Sequence, residues 1–151
     1  WILVLIMFCG ASAGNTGGGL KVSRVVMLVK SAVVDVKRSI RPRSVYRVQM
    51  DGKSVDKDVL FATLSFSLVF FGLLLLFTFV VSFDGHDIAT NFTAILSCLS
   101  NMGPGMGLVG PAGNYSIFSD LSKITMTLAM LLGRLEIFPM LVLFSPSTWK
   151  K

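Results

Sequence analysis

The feature that most constrains the fold is an apolar segment of 25 residues, Val59–Phe83, which contains no charged side chain. As a helix with a rise of about 1.5 Å per residue, it would extend roughly 37 Å, enough to cross a bilayer with some tilt. Only 15% of the whole chain is charged, whereas soluble domains average about 25%. The sequence therefore predicts an all-α, polytopic membrane protein that is surrounded by lipid bilayer.

The positive charge is confined to one part of the chain. Residues 21–58 contain ten Lys/Arg and four Asp/Glu, which is the whole net charge of +6. Loops rich in Lys and Arg stay on the cytoplasmic side of a membrane. We therefore predict a cytoplasmic basic loop at 32–58 and a cytoplasmic C-terminus, where Lys150 and Lys151 end the chain. Tyr46 is the only aromatic residue among these basic side chains, so we predict no nucleic-acid partner.

Two local signals subdivide this basic loop. Pro42 is expected to end the preceding helix. The alternating segment Val45–Met50 is followed by Asp51-Gly52, which predicts a hairpin turn. A solvated loop is the default interpretation of this region, and a docking surface for a partner subunit is the alternative.

The N-terminal region reads as a helix that is interrupted inside the membrane. Trp1–Phe8 is apolar but far shorter than the roughly 20 residues needed to span a bilayer. A glycine-rich segment follows, and helical spacing resumes at Leu20. We predict a broken helix over residues 1–31 with an intramembrane loop at 10–21, which must line a cavity or be buried in protein. A surface linker and a close helix interface of small residues remain alternatives.

A second irregular segment, Asn101–Gly107, holds three glycines and a proline in seven residues and cannot be regular helix. It follows a predicted short helix, 87–100, with Asp87 at its N-cap. Free carbonyls at the end of a short helix form ion filters, and the negative C-terminal end of that helix favours a cation. The alternative is a surface amphipathic helix, since Thr90, Asn91 and Thr93 are polar.

The last apolar segment, Ile124–Phe144, is interrupted by Arg134 at its midpoint and by Glu136. A charge at mid-bilayer costs at least about 2.5–3.5 kcal/mol, so Arg134 is expected to face water or a partner. An ion pair with Glu136 is the alternative, but helix positions two apart point in different directions. We therefore predict that Arg134 faces a pore.

Neither glycine motif supports nucleotide binding. The spacing from Gly14 to Gly19 resembles a phosphate-binding loop, but Leu20 precedes Lys21 and Val22 occupies the required Ser/Thr position. Gly105–Gly110 matches a dinucleotide motif that no strand precedes. The chain has one histidine, no nucleophile–base arrangement and no metal-ligand spacing. We predict that it is not an enzyme and needs no cofactor.

Three segments together carry a family resemblance: Gly14–Val22, Asn101–Gly107, and Ala129–Phe138 with Leu141–Phe144 following. They resemble the C-terminal part of the Trk/Ktr family of potassium-uptake transporters, and within it the bacterial TrkH/TrkG membrane subunits. The resemblance implies a potassium-channel-like fold of four helix–pore-loop–helix repeats around one pathway. Residues 1–31 would be the second helix of repeat three. Residues 59–151 would be repeat four, with helix 59–83, pore helix 87–100, filter loop 101–107 and helix 120–148.

The same resemblance implies the site residues. The filter residues would be Asn101, Met102, Gly103, Pro104 and Gly105, with K⁺ held by the backbone carbonyls of the first three. The gating loop would be Gly14, Asn15, Thr16, Gly17, Gly18, Gly19 and Lys21. Arg134 would project into the pathway beneath the filter.

The implied function is potassium uptake across the bacterial inner membrane, with K⁺ as the transported ion. The implied partners are a second copy of the same protein and a cytosolic nucleotide-binding regulatory subunit. Because the chain starts inside an apolar run, without Met, we expect it to be the C-terminal part of a longer protein. Without the N-terminal repeats it should not conduct. The alternative is a truncated, non-conducting membrane fragment that only binds partner or regulatory subunits.

Overall fold

The computed structural model describes residues 2–9, 19–40, 49–50 and 53–135. Within these ranges the chain forms helices α1 (Ile2–Cys9), α2 (Val22–Ile40), α3 (Lys57–Val81), α4 (Ile88–Ser100) and α5 (Asp120–Arg134). Two short strands, β1 (Gln49–Met50) and β2 (Lys53–Ser54), lie between α2 and α3. Three single-turn 3₁₀ helices occupy Ser82–Asp84, Gly107–Val109 and Tyr115–Ile117.

Helix α3 is the long apolar element that the sequence predicts. With the 3₁₀ turn that follows, it forms a continuous apolar segment, Asp58–Asp84. Among the described residues, this is the one helical segment that is long and apolar enough to cross a membrane. Three of its hydroxyl groups bond to the helix backbone. Thr63, Ser67 and Thr78 each donate to the carbonyl four residues earlier, at 2.7–2.8 Å.

Helix α2 extends beyond residue 31, where the sequence predicts the boundary between helix and basic loop. The helix continues to Ile40, so the first part of the expected basic loop at 32–58 is helical. Its described residues stop at Ile40, and the predicted end at Pro42 lies outside the described residues. The predicted hairpin is confirmed: Gln49 pairs with Ser54, and Met50 pairs with Lys53, in antiparallel register.

Helix α4 occupies the centre of the fold and contacts α1, α3 and α5. Ile95, Leu96 and Leu99 on α4 are fully buried, together with Phe70, Leu74 and Val81 of α3. The polar residues that favoured a surface helix are buried as well: Thr90, Asn91 and Thr93. The Thr93 hydroxyl donates to Ala89 O, and the side-chain amide of Asn91 donates to His86 O. The surface-helix alternative is therefore wrong, because α4 is enclosed on nearly all sides.

The outward side of α3 presents large apolar residues to its surroundings. Phe61, Leu68, Leu75 and Phe79 are all at least 65% exposed. A row of this kind, on a helix that carries no charge after Asp58, matches contact with lipid or with further apolar helices. The region that is packed within this chain lies on the other side of α3, where it supports α4 and the irregular loop that follows α4.

Candidate ion-binding loop

The loop begins with a sharp helix end. Asn101 adopts the left-handed conformation (φ 54°), and its amide donates to Cys98 O at 3.2 Å. The Met102 amide donates to Ser97 O at 3.1 Å. This is the Schellman arrangement, which satisfies two carbonyls of the last helical turn and reverses the chain. The C-terminal end of α4, with its negative partial charge, therefore lies directly beside the loop.

After this reversal, the chain runs back alongside α4. The hydroxyl of Thr93, on the middle of the helix, accepts a hydrogen bond from the Met106 amide at 2.9 Å. The Gly105 amide donates to Val109 O at 2.7 Å, which closes the loop on the following 3₁₀ turn. Two hydrogen bonds thus anchor the far end of the loop, and the Schellman bonds anchor its start.

Between these anchors lie the three predicted carbonyl ligands, in the exposed residues Asn101, Met102 and Gly103. The carbonyls of Asn101 and Met102 accept no hydrogen bond from any described residue. The Gly103 carbonyl accepts one from the Tyr115 hydroxyl at 2.7 Å. A carbonyl has two lone pairs, so Gly103 retains one for another contact. The loop therefore presents two free carbonyls and one half-used carbonyl, and their role as K⁺ ligands stays a prediction.

Gly103 is required by its backbone conformation. Its φ is +96°, which L side chains rarely adopt, while a Cβ added there would meet no atom within 4 Å. Any other residue would cost about 1–3 kcal/mol in backbone strain. Pro104, the next predicted filter residue, is exposed.

Ser100, the last residue of α4, joins the loop to the N-terminal region. Its hydroxyl donates to Met7 O of α1 at 2.8 Å. It also lies 3.1 Å from the position that a Cβ on Gly19 would occupy. Of the predicted gating loop, only Gly19 and Lys21 lie within the described residues, and 14–18 fall outside them. Both described flanks of this segment, α1 and Gly19, therefore meet the foot of α4 next to Asn101.

Helix α5 approaches the same place from the other side. A Cβ on Gly133 would overlap the Leu99 carbonyl and lie 2.8 Å from Asn101 Nδ2. The Asn101 side chain donates to Met130 O at 3.3 Å. Arg134 follows Gly133 at the end of the described helix and is exposed, and its side chain forms no ion pair or hydrogen bond with a described residue. Glu136 and the rest of the predicted helix 120–148 lie outside the described residues.

Sequence reasoning missed four residues that build this site: Thr93, Ser100, Tyr115 and Gly133. Ala129 and Gly133 form a small-xxx-small pair, a known signal for close helix contacts in membranes. Tyr115 carries no such signal, because an irregular loop separates it from Gly103.

The polar groups that this loop exposes are backbone carbonyl oxygens. Among the described residues no group of three His, Cys, Asp or Glu side chains could hold a metal ion. The exposed groups of this loop that could meet an ion are peptide carbonyls, and rings of such carbonyls bind alkali cations weakly enough for them to leave again.

Comparisons with known proteins identify the family. A family model described as TrkH, cation transport protein, matches residues 1–151. The chain is 33% identical to the Trk system potassium uptake protein TrkH of Escherichia coli K12, over 99% of this chain and 31% of that protein. It is 34% identical to the Trk system potassium uptake protein TrkG of the same organism, over 98% of this chain and 30% of that protein.

A solved structure gives the same result for the fold. The crystal structure of the potassium transporter TrkH from Vibrio parahaemolyticus matches with a TM-score of 0.86 and 32% identity, over 99% of this chain and 31% of that one. The predicted fold class, a helical membrane transporter, is thereby confirmed. The chain spans less than a third of the length of these relatives.

Proposed function

Because the chain belongs to the TrkH family of cation transport proteins, we propose that the complete transporter containing it takes up potassium across the bacterial plasma membrane. Its relatives in E. coli are potassium uptake proteins by name. These relatives are transporters, in agreement with the prediction that the chain is not an enzyme. In this proposal the chain supplies the end of repeat three and all of repeat four.

The observation that carries the proposal is the pair of free carbonyls on Asn101 and Met102, exposed at the C-terminal end of α4. Peptide carbonyls can replace the water shell of a potassium ion at little net cost. The negative end of the helix adds to the attraction for a cation. The Gly103 carbonyl contributes its remaining lone pair to the same ring, which three further loops of the complete protein would close.

The gating loop is the second part of the proposal. Gly14, Asn15, Thr16, Gly17, Gly18, Gly19 and Lys21 would block the pathway beneath the filter and move to open it. The contacts of Ser100 with Met7 O and Gly19 support this placement, since they bring both described flanks of the loop to the foot of α4. Irregular backbone at membrane depth is tolerated where it lines such a cavity.

Arg134 would supply a fixed positive charge beneath the filter. It lies one residue beyond Gly133, which touches the last turn of α4, and it has no partner among the described residues. A positive charge at that position would raise the barrier for cations and limit leak. The assembly proposed is a homodimer with a cytosolic nucleotide-binding regulatory subunit, for which the basic segment before α3 is the candidate surface.

The test is potassium uptake by the complete transporter in bacteria that lack their own uptake systems. Gly103→Ser should abolish or strongly reduce uptake, and Arg134→Ala should change its rate. Gly72→Ala is the matched control, because a Cβ on Gly72 meets nothing within 4 Å. If both variants retained the rate and selectivity of the parent, the assignment would be wrong. A complete transporter without uptake that still bound a regulatory subunit would support the non-conducting alternative.

A further inference from the structure

Tyr115 makes the only described hydrogen bond to Gly103. Its 3₁₀ turn, Tyr115–Ile117, follows the loop, and its hydroxyl donates to the Gly103 carbonyl at 2.7 Å. The Gly103 amide donates to no described residue, and its Cα faces open space with no atom within 4 Å of an added Cβ. The peptide that carries the Gly103 carbonyl continues into Pro104, which has no amide hydrogen. Among the described residues, Tyr115 therefore makes the one hydrogen bond to this peptide that can fix the direction of its carbonyl.

Tyr115 itself is firmly held. Its half-buried ring lies 6.3 Å from that of Phe118, which is 2% exposed. The His86 ring meets Phe118 edge-on at 5.0 Å, which connects this group to the turn after α3. Asn114 caps the 3₁₀ turn by accepting from the Ser116 amide at 3.2 Å. A hydroxyl on a ring fixed in this way acts as a rigid donor.

Ser97 offers Tyr115 a second polar neighbour behind the loop. Its hydroxyl is fully buried and has no hydrogen-bond partner of normal geometry among the described residues. It lies close enough to Tyr115 to interact with the phenol. The one hydrogen bond of the tyrosine hydroxyl with normal geometry among the described residues is thus the bond to the Gly103 carbonyl.

We propose that Tyr115 is a positioning residue for ion selectivity, which fixes the Gly103 carbonyl and so sets the size of the carbonyl ring that an ion must fill. The inference rests on the proposed filter function. Selectivity between cations depends on how many carbonyl dipoles can close around the ion and how freely they move. A Gly103 carbonyl that could rotate would adapt to a smaller ion such as Na⁺, and discrimination would fall.

The test compares Tyr115→Phe with the parent in the complete transporter, by measuring K⁺ and Na⁺ uptake and the KM for each ion. Phenylalanine keeps the ring and removes only the hydroxyl. The net value of one hydrogen bond corresponds to roughly a 2- to 10-fold change, so we expect the K⁺/Na⁺ ratio to fall by about that factor. Ser82→Ala is the matched control, since it removes an exposed hydroxyl that donates to Thr78 O of α3 and does not touch the loop.

The outcomes separate this inference from the proposed function. If Tyr115→Phe kept the parent selectivity and KM values while Gly103→Ser abolished uptake, the inference would be overturned and the filter assignment would stand. If only Tyr115→Leu lowered selectivity, ring packing would be responsible, and the hydrogen-bond role would be wrong. If the parent transporter took up no K⁺, the proposed function would fail, and this inference with it.

Discussion

Replacing Gly133 with alanine adds a single methyl group where α5 has no space for it. The new Cβ would overlap the Leu99 carbonyl oxygen and lie 2.9 Å from the Leu99 carbonyl carbon. It would also lie 2.8 Å from Asn101 Nδ2, and real Cβ atoms essentially never come closer than 3.0 Å to such atoms. The Leu99 atoms belong to the backbone, so no side-chain rotation relieves the overlap and α5 must move away from α4.

The cost can be estimated from these contacts. Overpacking typically costs about 1–3 kcal/mol. Separation of the helices would also weaken the hydrogen bond from Asn101 to Met130 O, at 3.3 Å in the parent, which is worth about 0.5–1.5 kcal/mol. Alanine recovers up to about 1 kcal/mol through its better helix propensity. The net loss is therefore about 0.5–4.5 kcal/mol.

The measurement is thermal unfolding of the complete transporter in detergent, with K⁺ uptake measured in parallel. We expect Gly133→Ala to lower the Tm, and to reduce uptake because Asn101 begins the filter loop. Gly72→Ala makes the same chemical change in an open part of α3 and should leave the Tm equal or slightly higher. A Gly133→Ala protein with the parent's Tm and uptake would refute the close contact between α4 and α5.

Three further outcomes are expected. Thr93→Val would leave the Met106 amide without its acceptor and should cost about 1–3 kcal/mol, with a lower Tm and weaker K⁺ affinity; unchanged values for both would contradict the loop anchor. Ser100→Ala would remove the bond to Met7 O and should increase the rate of ion leak through the resting transporter, whereas Ser39→Ala, at the exposed end of α2, should not. Burial raises the pKa of Tyr115 above its ordinary value of 10.0, a rise that nearby Ser97 partly offsets. A raised pKa keeps the hydroxyl protonated, so the K⁺/Na⁺ selectivity of the parent should not change between about pH 6 and pH 9. If the parent's selectivity fell with pH within this range, and that of Tyr115→Phe did not vary with pH, the phenol would titrate earlier than expected.

The main elements of the fold could be predicted from local sequence. Val59–Phe83 has no charge over 25 residues, and such a segment has few stable conformations other than a spanning helix. Asp87 predicts the start of α4, and its side chain accepts from the Ala89 amide as an N-cap does. The turn at Asp51-Gly52 likewise predicts the pairing of Gln49–Met50 with Lys53–Ser54.

The boundary of α2 and the environment of α4 could not be predicted from local sequence. Charged residues after 31 suggested a loop, but a surface helix tolerates charge on its exposed side, so α2 continues to Ile40. Thr90, Asn91 and Thr93 suggested a surface helix, yet they lie inside because each is close to a polar partner or to the returning loop. Burial of polar groups depends on such partners, and these come from elsewhere in the chain.

The sequence by itself determined that this chain is a membrane helix bundle with a non-helical loop at Asn101–Gly107. Composition, helix length and the restrictions on glycine and proline act locally and need no knowledge of distant contacts. Only the tertiary structure decided what surrounds that loop. Gly133, Ser100 and Tyr115 reach it from three other elements, because close approach and hydrogen bonding depend on distances in space and leave little trace in the order of residues.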